Sequence, residues 1–184
     1  LVCTLNAARI LDAACIILGK NHDEVAQLAL AAKPGANGLT LLPYFEGERT
    51  PNRPKATGVF AGMNLNNSNQ EDIARAMVEG MLAGLADAVD ALVALGVGVN
   101  RILLIGGAAK NPAVPVIASA LFGREVLVPP TGEYVADGAA KQAAWALLGE
   151  MPTWNLGEVT HHSSAATPEV MTRYKEVKNS TQDW

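Results

Sequence analysis

Apolar positions recur along this chain with two periods, and the two alternate. Ile10, Ala14, Ile17 and Leu18 share one face of a helix that Asn6 is placed to cap and Gly19 to stop, and the preceding "LVCTLN" reads as the end of a strand. "HDEVAQLALAAK" gives a second short helix with its acids in the first turn, closed by "KPGANG". "LTLLPYF" and "VFAGMNL" read as strands on either side of a charged, turn-rich loop, "GERTPNRPKATG". Ile73, Met77, Met81, Leu85, Val89 and Leu92 form the longest helical stripe, opened by a capping box of Ser68 and Glu71 and ended at Gly96. Glu71, Arg75 and Glu79 are spaced as i,i+4 pairs on the wet side of that helix. "RILLI" and "EVLVP" follow as strands, and an Ala-rich helix runs from about Val135 to Leu148 before Gly149.

Strands alternating with helices predict an α/β domain with part of its sheet parallel. From Met151 the character changes to proline, "HHSS" and a short helix "TPEVMTRYKEVK". The expected organisation is a domain over 1–150 and, over 151–184, an extension that docks on it.

Composition narrows the classes. At 184 residues and 49% apolar, the chain has enough material for one packed core. A net charge of -4 with no basic cluster argues against nucleic acid and against a membrane surface as partners. No apolar run approaches the ~18 residues of a membrane-spanning helix. Cys3 and Cys15 lack metal or CxxC spacing and read as buried, reduced thiols, which points to the cytoplasm. The chain opens on Leu1 inside an apolar segment and reads as a piece of a longer polypeptide.

The stretch most suggestive of chemistry is "RILLIGGAAKNPAVPVIASALFG", residues 101–123. It lacks the third spaced glycine of a dinucleotide fingerprint and the Gly-Lys-Ser/Thr of a P-loop. Two readings remain open on the residues alone. Gly106 and Gly107 are a turn with Asn111 capping the next helix, the commoner use of such residues, or they let a ligand approach backbone at a strand end while Asn111 hydrogen-bonds it. Glu46 and Arg49 read as a local ion pair on a charged turn. His161 and His162 read as a solvated pair without a third metal ligand. Gly80 and Gly84 read as a close-packing contact on the long helix. No Ser/His/Asp arrangement or carboxylate pair stands out.

Several stretches together resemble the C-terminal domain of the FGGY carbohydrate kinases. "GVFAGMNLNNSNQEDIARAMVE", residues 58–79, is similar to that family's second signature at Gly58, Phe60, Gly62 and Met63 and, after a spacer, at Asp72, Ile73, Ala76, Met77, Val78 and Glu79. "LPYFEGERTP" resembles the version found in the xylulokinase branch, "LLIGGAAKN" resembles the adenine-side loop, and "DGAAKQAAWA" resembles the "GAA" helix. The resemblance extends to about Gly149.

It implies an actin-like, ribonuclease-H-like ATPase domain, incomplete at its N-terminal edge, belonging to an enzyme that phosphorylates D-xylulose to D-xylulose 5-phosphate with ATP and Mg²⁺. By resemblance Gly106, Gly107 and Ala108 pass the nucleotide with their backbone and Asn111 contacts it by side chain, while Ala109 and Lys110 are given no role. The catalytic aspartate and the sugar contacts belong to the family's first domain, so no catalytic or metal-binding residue is expected here and the chain alone is expected to be inactive. A homodimer fits the intact enzyme. Another FGGY sugar or polyol kinase, or a non-catalytic actin-like binding module, are the competing readings.

Overall fold

The computed structural model describes residues 1–155 and 157–182. Its centre is a long helix, α3, over Gln70–Ala94. Two short helices, α1 (Arg9–Leu18) and α2 (His22–Ala31), pack on one side of it, and α4 (Ala113–Phe122) packs on another. Strand β1 (Thr40–Leu42) crosses α3 and pairs antiparallel with β2 (Val59–Ala61), with Leu41 opposite Phe60. A second sheet has the order β3-β4-β5. In it β3 (Ile102–Leu103) runs parallel to β4 (Val126–Val128), and β5 (Thr160–His162) runs antiparallel to β4. Helix α5 (Tyr134–Leu148) follows β4, and α6 (Pro168–Ser180) closes the chain against β1 and α3.

Because α3 is covered by α2, α4 and β1, it buries residues around most of its circumference between Ala74 and Ala83, not only along the expected stripe. Arg75 and Glu79, expected on the wet side, form a buried ion pair at 2.6 Å. Glu79 also accepts from the Gly35 N–H at 3.0 Å, and Arg75 donates to the Ala29 carbonyl at 3.3 Å, so the pair ties α3 to the end of α2 and the turn beyond it. Burial pushes the Glu79 carboxyl above its ordinary range, and Arg75 and the Gly35 N–H work against that rise. The cap of α3 also shifts by one residue. Asn69, not Ser68, accepts from the Asp72 N–H at 2.8 Å, because Ser68 Oγ donates back to Leu65.

Four further expectations change. Residues 1–5 form no strand, and Asn6 does not cap α1; its amide donates to the Gly47 carbonyl at 2.6 Å and to Glu48 Oε2 at 3.0 Å. The buried Glu48 carboxylate also accepts from the N–H groups of Leu5 and Arg49, so it recruits the chain entering α1. Ile17 is exposed while Leu11 is buried, which turns the core face of α1 slightly. Cys3 is exposed and Cys15 is half-buried; both are free thiols.

The turn-rich loop has polar anchors where apolar ones are few: Arg53 stacks over the Tyr44 ring and donates to the backbone of Lys178 on α6 and of Thr181 just beyond it. The tail beyond 150 supplies both β5 and α6, and α6 buries Val170, Tyr174 and Val177. Helix α5 is the contrast, with no buried residue and with Val135, Trp145, Leu147 and Leu148 exposed.

Candidate functional site

The parallel strand β3 hands over to Gly106, whose φ of 93° and ψ of -178° lie where only glycine sits without strain. A single 3-10 turn, Gly107–Lys110, follows, and the chain re-enters helix at α4. Gly106 is therefore required by the backbone. Gly107 is not: its φ is ordinary, and a Cβ built on it meets no atom within 4 Å. At 107 neither conformation nor packing requires glycine, and the space in front of it is open.

Asn111 is buried, and its two amide ends do different work. Oδ1 accepts from the Ala113 N–H at 3.0 Å and so caps the start of α4, while Nδ2 donates to the His22 carbonyl at 3.4 Å, a bond that uses one of its two hydrogens. The capping and ligand readings of this residue are compatible, since the oxygen serves the helix and the nitrogen remains available.

A cavity of about 370 Å³ opens between this turn and the first two helices. Gly107, Ala108, Lys110 and Asn111 line it from the turn, Ala8, Leu11 and Asp12 from α1 and its approach, and His22 and Asp23 from the start of α2. Three of the four residues expected to pass a nucleotide thus meet at one cavity. Gly106 lines a separate cavity of about 40 Å³ with Leu104, Val128 and Tyr134. Lys110, given no role in the sequence, lines both. The volume is of the order that small-molecule sites occupy, and its position beyond the carboxyl end of a parallel strand is where open α/β sheets take ligands.

The rim carries a grouping that the spacing along the chain concealed. Asp12 and Cys15 lie on α1, His22 begins α2, and the three come together across the break at Gly19: His22 Nε2 is 3.2 Å from Asp12 Oδ1, and His22 Nδ1 is 3.5 Å from Cys15 Sγ.

The other candidates lie elsewhere. Glu46 and Arg49 do not pair with each other: Glu46 binds Arg9, and Arg49 points at Cys3 Sγ, because the buried Glu48 between them takes the turn's N–H groups and splays its neighbours. His161 and His162 sit on β5, with His161 Nδ1 3.0 Å from Glu125. Among the described residues no group of three His, Cys, Asp or Glu is arranged to hold a metal. Among them too, no helix is long and apolar enough to cross a membrane.

The profile of the FGGY family of carbohydrate kinases, C-terminal domain, matches residues 5–147. The chain belongs to that family. Relatives by sequence include the xylulose kinase of Streptomyces rubiginosus, 37% identical over 153 residues that cover 83% of this chain and 30% of the relative, and the xylulose kinase of Haemophilus influenzae, 34% identical over 146 residues that cover 79% and 30%. Among solved structures, xylulose kinase from Bifidobacterium adolescentis superposes with a TM-score of 0.85 at 48% identity, over 96% of this chain and 35% of that one. Plasmodium falciparum glycerol kinase with ADP superposes with a TM-score of 0.66 at 19% identity, over 88% and 34%, a likeness of fold alone. The chain spans about a third of the length of these proteins and has the actin-like ATPase fold of FGGY kinases.

Within an FGGY domain the second signature acquires a physical meaning here. Asp72 accepts from Asn37 Nδ2 at 2.9 Å and from Asn69 Nδ2 at 2.8 Å, and Asn67, fully buried, donates to the carbonyls of Asn37 and Gly62. Gly62 has φ 75°, and a Cβ on it would sit 2.4 Å from the Gly38 carbonyl oxygen. The signature knots the β2–α3 connection to the turn before β1; it does not line the cavity at Gly107.

Proposed function

We propose that this chain is the ATP-side part of a xylulokinase, which as a whole phosphorylates D-xylulose to D-xylulose 5-phosphate with MgATP in the cytoplasm. In this reading residues 1–150 are the nucleotide-side domain and 151–184 an extension of it. Gly106, Gly107, Ala108 and Asn111 form the wall against which the nucleotide lies. The observation that carries the reading is Gly107, a glycine that the backbone does not need and packing does not need, facing a cavity of about 370 Å³. The xylulose kinase relatives support the choice of sugar.

A kinase of this kind works mainly by positioning phosphates and nucleophile and by neutralising developing charge. A wall of bare backbone with one amide suits the base and ribose end, and of the charged groups at the same cavity Asp12 and Asp23 disfavour phosphate while Lys110 alone favours it. Mg²⁺ in such sites is held by one or two carboxylates together with the substrate's phosphates, so in this reading the metal lies with the phosphates rather than in a dedicated protein cage. In this reading the catalytic aspartate and the sugar contacts belong to the family's first domain, so the chain by itself turns over no sugar.

The test is calorimetric titration with ADP of the wild type and of Asn111→Asp. Aspartate keeps an oxygen to cap α4 and loses the amide donor. Melting lowered by a few degrees, because a buried carboxylate then faces the His22 carbonyl, together with ADP affinity weakened about three- to tenfold, the worth of one hydrogen bond, is expected. Equal affinity removes Asn111 from the nucleotide site.

A further inference from the structure

Cys15 follows Asp12 by one turn on the same face of α1, and the chain reversal at Gly19 brings His22 against both. His22 is held from two sides. Its carbonyl accepts from Asn111, and Asn21 and Glu24 form a reciprocal capping box around it. With Nε2 protonated and donating to the Asp12 carboxylate at 3.2 Å, Nδ1 presents its lone pair to the Cys15 S–H at 3.5 Å. This is the order of nucleophile, base and orienting carboxylate that activates weak nucleophiles on unrelated folds.

The side chains of His22 and Asp12 are 56% and 62% exposed and Cys15 beside them is half-buried, so a small reagent reaches the edge of the thiol. Burial, and then the Asp12 charge, raise the Cys15 thiol above its ordinary value of 9.0. A standing thiolate is therefore scarce at neutral pH, and reactivity here must come from proton transfer to the imidazole.

We propose that Cys15 is a covalent modification site, a thiol activated by His22 and oriented Asp12 for exchange with low-molecular-weight disulfides of the glutathione disulfide class. The Sγ–H bond breaks as its proton passes to His22 Nδ1. Sγ then attacks one sulfur of the disulfide, the new S–S bond forming as the old one breaks. The departing thiolate takes the proton from His22 and leaves as a thiol. Cys15 is oxidised, one half of the reagent is reduced, and no other oxidant enters. The site stands on the neighbours of the thiol and is independent of the nucleotide reading.

The test incubates the chain with glutathione disulfide and follows mixed-disulfide formation at Cys15 and at Cys3 by peptide mass spectrometry, in the wild type, His22→Gln and Asp12→Asn. Cys3, exposed and beside Arg49 rather than a histidine, is the internal reference. At Cys15, His22→Gln is expected to slow exchange by about tenfold or more, within what a positioned base contributes. Asp12→Asn is expected to slow it severalfold. That second variant separates two roles for the carboxylate: acting only as a charge that disfavours the thiolate, its removal would speed the reaction. A Cys15 rate unchanged by His22→Gln, or raised by Asp12→Asn, relative to Cys3, overturns the proposal.

Discussion

At Gly80 the packing leaves no room for a methyl group. A Cβ there would stand 2.5 Å from the Leu41 carbonyl oxygen and 2.8 Å from the Leu41 side chain, because β1 crosses α3 at this point. Backbone cannot yield as a flexible side chain does, so Gly80→Ala is expected to cost about 1–3 kcal/mol, read as a lower midpoint in urea unfolding. Gly107 is the opposite case, where an added Cβ meets nothing within 4 Å. The sequence shows both as glycine, and only for Gly80 does its spacing argue against a plain turn. The close contact at Gly80 was legible from its place inside a helical stripe, where glycine is costly and needs a packing reason. The bareness of Gly107 was not, since it depends on what lies across space. The same holds for Cys15, His22 and Asp12, which no single periodicity joins.

Among the elements, α3 carries the largest discrepancy between pattern and structure. Glu71, Arg75 and Glu79 have the spacing of a solvated charged face, yet Arg75 and Glu79 are buried because α2 and the turn at Gly35 cover that face. The signal was present in the small residues around the helix, Ala74, Ala76, Gly80 and Ala83, which let neighbours approach from several directions. Arg75→Met should cost about 3–5 kcal/mol near pH 7, because it leaves a buried carboxylate without its counter-charge. The pH dependence has a definite sign. Glu79 is already raised above its ordinary 4.5 in the folded state, and losing Arg75 raises it further. A raised carboxyl contributes its stability fully below the unfolded value and loses it as pH rises through the folded one. The deficit of Arg75→Met is therefore expected to shrink as the urea series is taken from pH 7 down towards 4.5.

For the molecule as a whole, the α/β alternation, the positions of α1 to α6 and a sheet that is parallel in part followed from periodicity and turn residues, though not which strands pair, and the family followed from residues 58–79. The structure shows why that signature is so recognisable while lying away from the cavity: Asp72, Asn67 and Gly62 secure a three-way junction whose geometry tolerates few replacements. Short edge segments were less legible. Residues 1–5 carry strand-like apolar spacing but follow the demands of the buried Glu48, a tertiary contact more than forty residues away. Burial also orders the local stabilities. Helix α5, with no buried residue, is expected to exchange its amide hydrogens faster than α3, and α6 to resemble α3 more than α5, by hydrogen exchange with mass spectrometry. Equal protection of α5 and α3 would contradict this ordering.

The central claim is that the Gly106–Asn111 turn is a nucleotide wall and not merely a connection between β3 and α4. Calorimetric titration of ADP into the wild type and Gly107→Val tests it most directly, with thermal melting of both proteins alongside. The bare space at Gly107 predicts a melting temperature within about 4 °C of the wild type, equivalent to roughly 1 kcal/mol or less, and ADP affinity lower by about tenfold or more. An unchanged melting temperature with unchanged ADP affinity would contradict the account and return the turn to a purely structural role.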